Sequence, residues 1–286
     1  MSPAALPIDC ASARSLLFVP GNRPKLFDKA VRSGADAVIL DLEDSVPAPE
    51  KPSARSTIED AWPRLISEGV PLAVRINSEG SEAAEADLEC IARLPFLAAV
   101  MLPKAESAAA IERMHDRLHT GVLPLIESAA GLAAISTVAG ARGVIRLVIG
   151  HMDFMADTGI QCDEAESELV PLRFVVAMAT RLGRLPPAVD GVTVRTGDEA
   201  RLRADTLRAV RFGFGGKLCI HPDQVRPVHE AFAPSPQELE WARRVIAADA
   251  ASGGAAVKLD GRMIDLPIVL QARRTLARAA GGGARS

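Results

Sequence analysis

The sequence predicts an α/β fold, a (β/α)8 TIM barrel with a C-terminal helical extension, and three observations carry that expectation. Eight short apolar runs recur along the chain, at residues 15–19, 37–42, 72–76, 98–102, 122–126, 146–149, 187–189 and 217–220. Most are rich in Val, Ile and Leu on consecutive positions, as suits strands buried on both faces of a parallel sheet. Amphipathic stretches separate them, among them residues 24–33, 82–93, 105–119, 128–138, 169–181 and 198–211. Eight strands alternating with helices is the pattern of a closed barrel. A doubly wound open sheet is the runner-up, but no G-x-G-x-x-G follows the first strand and Lys217 is not followed by Ser or Thr.

In order along the chain, residues 1–13 read as an N-terminal tail and residues 14–225 as the barrel. Pro171 falls in the first turn of its helix, where a missing N–H is tolerated. Gly34, Gly69, Gly121 and Gly213 are expected to end helices in the left-handed conformation. Residues 226–286 read as a helical segment expected to pack on a neighbouring subunit. Ser235-Pro236 opens a helix through Asp249, residues 251–254 link, residues 263–279 form a second helix, and Gly281-Gly282-Gly283 frays.

Composition narrows the function. Of 286 residues 48% are hydrophobic and 24% charged, the balance of a soluble globular protein. A net charge of −3 without basic clusters argues against nucleic acid as a partner. No apolar stretch approaches the length of a membrane span. Residues 1–13 show no cationic leader followed by an apolar core, and Cys10, Cys90, Cys162 and Cys219 form no C-x-x-C pair. A cytoplasmic enzyme with incidental thiols is the expectation.

A barrel carries its active site at the carboxyl ends of its strands. There the sequence supplies Glu43 and Asp44, Arg75, Lys104, Glu127, His151 and Asp153, Asp190, and His221. Glu127 and Asp153 end neighbouring strands, ~4.8 Å apart, so both carboxylates can reach one ion. Two oxygen ligands completed by water and substrate is how Mg2+ is commonly held. The alternative is that each carboxylate caps the helix that follows it. Arg75, between Val74 and Ile76, needs an anionic partner, either Glu43, Asp44 or a bound carboxylate. Lysine is scarce, which makes Lys104 the candidate for a Schiff-base aldolase. His115 and His119 have zinc-helix spacing but lie mid-helix outside the barrel, and His221 before Pro222 reads as a turn residue or an acid/base group.

The motifs in sequence then point to a family. Arg14-Ser-Leu-Leu-Phe-Val-Pro-Gly21, Gly34-Ala-Asp-Ala-Val-Ile-Leu-Asp-Leu-Glu-Asp-Ser-Val-Pro47 and Val74-Arg-Ile-Asn77 resemble the citrate lyase β-subunit-like branch of the HpcH/HpaI aldolase superfamily. So do Leu102-Pro-Lys104, Pro124-Leu-Ile-Glu-Ser128, residues 150–159, Cys219-Ile-His-Pro222 and Asp260-Gly-Arg-Met-Ile-Asp-Leu-Pro267. The resemblance implies a Mg2+-dependent lyase that cleaves a malyl-, citramalyl- or citryl-type thioester to acetyl-CoA and a 2-oxo acid, or condenses them. Carried over by position, Glu127 and Asp153 resemble the Mg2+ ligands and Arg75 the contact to the oxo acid. Phe18, Arg23 and Lys29 resemble coenzyme A contacts, with Glu43 and Asp44 behind the ligands. Asp265 resembles an acid/base residue that trimeric relatives contribute to a neighbouring subunit's site, implying a homo-oligomer, trimer or hexamer. A Schiff-base or metal-dependent 2-oxo acid aldolase, or a non-catalytic subunit of a citrate lyase complex, are the alternatives. Two departures stand out. No histidine lies near Leu42-Glu43-Asp44, where pyruvate-type aldolases of the superfamily carry their base, and His151-Met152 replaces the small residues that often precede the aspartate of strand 6.

Overall fold

A computed structural model of the chain describes residues 9–282. Eight parallel strands close into a barrel: β1 (Ser15–Pro20), β2 (Ala37–Asp41), β3 (Leu72–Arg75), β4 (Ala99–Leu102), β5 (Gly121–Ile126), β6 (Val148–Ile149), β7 (Val189–Asp190) and β8 (Gly216–Cys219). Closure is explicit, because β1 pairs with both β2 and β8. Each strand falls on one of the eight apolar runs, and helices such as Pro24–Val31, Ala108–Leu118, Val170–Leu182 and Glu199–Arg211 occupy the amphipathic stretches between them. A further helix, Lys51–Ile66, tolerates Pro63 in its interior.

Side-chain alternation decides what the barrel does with these strands. The lumen is filled by Leu16, Ala37, Ile39, Ala73, Ala99, Met101, Leu123, Leu125, Val148, Val189 and Leu218. Stepping two residues toward the carboxyl end keeps a side chain on the same face. From Leu16 that step reaches Phe18, from Ile39 it reaches Asp41, from Ala73 it reaches Arg75, and from Leu125 it reaches Glu127. The polar groups of the upper lumen therefore sit on the inward-facing register of the apolar core. Asp190 has the opposite parity to Val189 and Lys217 the opposite parity to Leu218, so this buried pair belongs to the layer between strands and helices.

Several local expectations are corrected. Of the N-terminal tail, residues 1–8 lie outside the described residues, and within residues 9–13 Cys10 and Ala13 are buried in the lumen cluster. The buried Arg146 guanidinium donates to the Ala13 carbonyl at 2.5 Å and to the Pro187 carbonyl. The stretch 128–138 is two helices, Ala129–Ala133 and Ile135–Gly140. Gly34, Gly69 and Gly213 do have positive φ, whereas Gly121 does not. Gly121 starts β5, where a Cβ would meet Ile145 Cγ2 at 2.6 Å, so close packing and not handedness demands glycine.

Two compact units are present, the first through Val228 and the second from His229. The second holds the helix Pro236–Ala251, capped by the Ser235 and Glu238 capping box, and the helix Leu266–Gly282. Its core joins Ala242, Val245, Ile264, Val269 and Ala272. Between the helices lies an antiparallel hairpin, β9 (Val257–Leu259) and β10 (Arg262–Ile264), where the sequence reading placed a helix from residue 263. The cause is local: Asp260-Gly261 forms the two-residue turn, with φ of 46° and 80°. Asp-Gly flanked by apolar alternation is a strong hairpin signal. The expected fraying of Gly281 and Gly282 is not seen, since the helix includes both; Gly283 lies outside the described residues. Among the described residues no helix is long and apolar enough to cross a membrane.

Candidate active site

The carboxyl end of the barrel opens into a cavity of about 320 Å³ lined by Phe18, Asp41, Asp44, Arg75, Glu127 and Asp153, with Met152 and Val192 on its β6–β7 side. The sequence reading thus brings together Phe18, Asp44, Arg75, Glu127 and Asp153. Glu43 stands beside them through Arg75. Lys104, Asp190 and His221 do not line this cavity.

Arg75 organises the acidic wall. Parallel register sets Asp41 on β2 directly beside Arg75 on β3. Arg75 Nε and Nη2 donate to the two Asp41 carboxylate oxygens at 2.6 and 2.7 Å. Its Nη1 lies 2.9 Å from Glu43 Oε2 and 3.5 Å from Asp44 Oδ2. The guanidinium packs over the Phe18 ring, 4.8 Å from its centroid. The sequence reading offered Glu43 and Asp44 as partners and missed Asp41, which strand pairing supplies. Burial would raise the Asp41 pKa, but the hydrogen bonds and charge of Arg75 outweigh it, and the net shift is downward. The loop after β2 is tied down as well: Lys51 Nζ donates to the Leu42 and Glu43 carbonyls, both at 2.8 Å, and Asn77 Nδ2 donates to Leu42 O at 2.9 Å.

Glu127 is 2% exposed, directly after β5. It does not cap the next helix; Ser128 does, its hydroxyl accepting from Gly131 N. Glu127 Oε1 accepts from the Lys104 backbone N–H at 2.8 Å, while Oε2 is buried without a hydrogen-bond partner among the described residues. Gly150, next to β6, makes room for it, since a Cβ there would meet Oε2 at 2.4 Å. Asp153 is half-buried in the first turn of the helix His151–Thr158 and makes no cap hydrogen bond. Burial, then the nearby Glu43 charge, pushes the Glu127 carboxyl up to about 8. Burial also pushes Glu43 up to about 7 and raises Asp153.

Carboxylates that raise one another's pKa around an orphaned buried oxygen are what a divalent cation would relieve. Among the described residues no set of three or more His, Cys, Asp or Glu side chains forms a cage for an ion. Two carboxylates with the remaining positions open to water and substrate suit Mg2+, which dehydrates reluctantly. The donor set and the orphaned oxygen fit that ion.

Other candidates lie elsewhere. Arg23 occupies the N-cap position of the helix Pro24–Val31 and Lys29 sits within it, both exposed. Asp265 is exposed in the second unit, between β10 and the helix Leu266–Gly282. The Lys104 side chain is exposed, without the desolvation that activates an amine for imine chemistry, so the geometry gives the Schiff-base alternative no support. His221 caps its own short turn, accepting from Asp223 N. His115 turns Nδ1 to the Thr120 carbonyl, and His119 ends its helix. Sequence reasoning also missed an ionic layer behind β6 and β7, where Glu166 accepts from Arg173, Arg201 and Arg208 at 2.5, 3.2 and 2.8 Å. Its only local signal is a run of arginines at helical spacing.

Comparison with known proteins agrees with this geometry. The family model for the HpcH/HpaI aldolase/citrate lyase family matches residues 14–222. The chain is 36% identical over 275 residues to a citrate lyase subunit beta-like protein of Mycobacterium tuberculosis, covering 94% of this chain and 96% of that one. It is 30% identical to human mitochondrial citramalyl-CoA lyase, over 93% of this chain and 85% of the enzyme. In three dimensions it is similar to the CitE protein of Mycobacterium tuberculosis crystallised with magnesium, acetoacetate and coenzyme A. The TM-score is 0.83 at 33% identity, over 94% of this chain and 99% of that one. Eight strands, their motifs in order and a matching model over most of the barrel lead to one conclusion: the chain belongs to the HpcH/HpaI aldolase/citrate lyase family.

Proposed function

We propose that the protein is a Mg2+-dependent carbon–carbon lyase acting on a β-hydroxyacyl-CoA of the malyl, citramalyl or citryl type. It releases acetyl-CoA and a 2-oxo acid, or runs the reverse condensation. The observation that carries this reading is the Glu127 oxygen buried without a hydrogen-bond partner among the described residues, on a side chain that lines a cavity shared with Asp153 and Arg75. Magnesium and coenzyme A in the similar CitE structure support it.

Glu127 and Asp153 would hold the ion, which when bound supplies Lewis-acid polarisation of the substrate's oxygen. Arg75, locked by Asp41 and with Nη1 beside Glu43 and Asp44, would neutralise charge on the oxo-acid carboxylate. In cleavage the hydroxyl proton leaves to a base. The electrons of the O–H bond form the new carbonyl, and those of the breaking C–C bond pass to the thioester as an enolate. Protonation of the enolate carbon, by Asp265 in the reading carried from the family, yields the acetyl thioester, so the step balances without any redox partner. Phe18, Arg23 and Lys29 are the proposed coenzyme A contacts. Barrel residues 14–225 with a C-terminal segment 226–286 packed on a neighbouring subunit, a homotrimer or hexamer, and a cytoplasmic location complete the proposal.

The test is release of a 2-oxo acid from malyl-CoA and citramalyl-CoA with Mg2+ and with EDTA. Thermal stability with added Mg2+ is followed in parallel. At tenfold over the dissociation constant, Mg2+ should stabilise the wild type by about 1.4 kcal/mol. Glu127→Ala should lose both that shift and EDTA-sensitive turnover. Undiminished turnover in Glu127→Ala rejects the metal assignment.

A further inference from the structure

A second and larger cavity, about 570 Å³, adjoins the first on the β6–β7 side of the barrel mouth. The two share three residues, His151, Met152 and Val192, so these form the partition between them. Beyond the partition the wall continues through Met155, Cys162 and Val194.

The charges in its lining are largely spent on one another. Arg201 pairs with Glu166 at 3.2 Å and with Asp205 at 2.9 Å, and Asp205 also accepts from the Thr193 hydroxyl at 2.8 Å. Asp163 is held by the Ser167 N–H and hydroxyl, both at 3.0 Å. Glu166 stands at a φ of 53°, and Arg173, Arg201 and Arg208 hold its carboxylate, which ties down the loop that follows Cys162. Met152, Met155, Cys162, Val192 and Val194 supply thioether, thiol and branched alkyl surface, and His151, Thr193, Glu164 and Arg195 complete the lining. Met152 and Met155, unbranched and polarisable, adapt to apolar shapes of varying length.

The direction of the cavity says which substrate fragment it serves. The proposed coenzyme A contacts lie on β1, just after it and in the helix Pro24–Val31, while the second cavity lies past Met152, the chain neighbour of Asp153, the proposed ion ligand after β6. A 2-oxo acid held at Asp153 and Arg75 by its head would send its carbon chain past Met152. We propose that the second cavity receives that chain, so that the protein takes straight-chain aliphatic 2-oxo acids longer than pyruvate. This rests on the lyase reading above. In condensation the thioester α-carbon loses a proton and bonds to the oxo carbon, the oxo oxygen is protonated, and the alkyl chain is carried unchanged into the β-hydroxyacyl product.

Two measurements on the full chain test it. The first is condensation of acetyl-CoA with glyoxylate, pyruvate, 2-oxobutyrate, 2-oxovalerate and 2-oxohexanoate, each with Mg2+. Each methylene buried in such a cavity is worth up to about fourfold in affinity, so KM should fall along the series. Met155→Trp, which fills the second cavity beyond the partition, should cost the long acids at least about tenfold in kcat/KM relative to glyoxylate. Loss with pyruvate as the longest acid used, a uniform effect of Met155→Trp on every acid, or chain tolerance on the acyl-CoA instead overturns the proposal. The second measurement needs no turnover. Cys162 is half-buried while Cys10, Cys90 and Cys219 are buried, so N-ethylmaleimide labelling read by mass spectrometry reports on this wall. With Mg2+ present, 2-oxohexanoate should slow Cys162 labelling and glyoxylate should not; equal rates overturn the proposal. Should no thioester be turned over at all, the lyase reading fails, and the labelling result still decides the cavity by itself.

Discussion

Asp41→Ala is the substitution whose consequence the structure specifies most fully. Asp41 is 1% exposed and Arg75 9% exposed, and two charge-assisted hydrogen bonds of 2.6 and 2.7 Å join them. Removing one member of a buried ion pair costs about 3–5 kcal/mol, because the other charge is left desolvated without its partner. Arg75 keeps Glu43 at 2.9 Å, so the lower end applies, about 3 kcal/mol. Urea unfolding followed by Trp62, buried in the helix Lys51–Ile66, would measure it in a Trp241→Phe background. Activity should fall about 100-fold or more, since an arginine released from its bidentate clamp no longer presents Nη1 to the substrate. The double replacement Asp41→Leu with Arg75→Met separates the two effects. It should recover part of the stability, because an apolar pair of similar volume needs no partner while the buried Glu43 loses the Arg75 charge, and recover no activity. A stability loss below about 1 kcal/mol in Asp41→Ala would refute the clamp as an energetic unit.

Two further outcomes follow from the same geometry. Gly150→Ala places a methyl group against Glu127 Oε2 and should cost about 1–3 kcal/mol of stability while abolishing the Mg2+-induced thermal shift; an unchanged shift measured by scanning fluorimetry argues that Glu127 is not a ligand. Asp41 and Asp190 both titrate below the usual carboxylate range, because arginine and lysine partners outweigh the burial that would raise them. Their stabilisation is therefore complete above the unfolded aspartate pKa of about 3.9 and is lost as pH falls through the lower folded values. Acid titration by circular dichroism should show Asp190→Asn unfolding with a shallower pH dependence below that point; an unaltered slope would contradict the assignment.

Much of the barrel was legible in residue order. Strands buried on both faces must be nearly continuous in apolar residues, and each of the eight runs became a strand of the closed sheet. The convergence of Glu127, Asp153, Arg75 and Asp44 was legible for a related reason, since residues just after parallel strands share one end of a barrel. Lys104 and Asp190 satisfy the same positional rule and still leave the cavity. The first is exposed, and the second faces the helix layer with Lys217, because parity along a strand, and not nearness to its end, chooses the face. The hairpin around Asp260-Gly261 carried its own turn signal, which an amphipathic pattern running through residue 263 obscured.

The amino-acid order by itself therefore determined the number of strands, their burial and the rim that holds the acidic groups, because hydrophobic periodicity is written along the chain. Only the tertiary structure decided that Asp41 is the partner of Arg75, that one oxygen of Glu127 has no hydrogen-bond partner among the described residues, and that a second cavity lies past Met152. Those facts depend on inter-strand register and on which side chains meet across loops far apart in sequence, and neither is encoded in any single stretch of it.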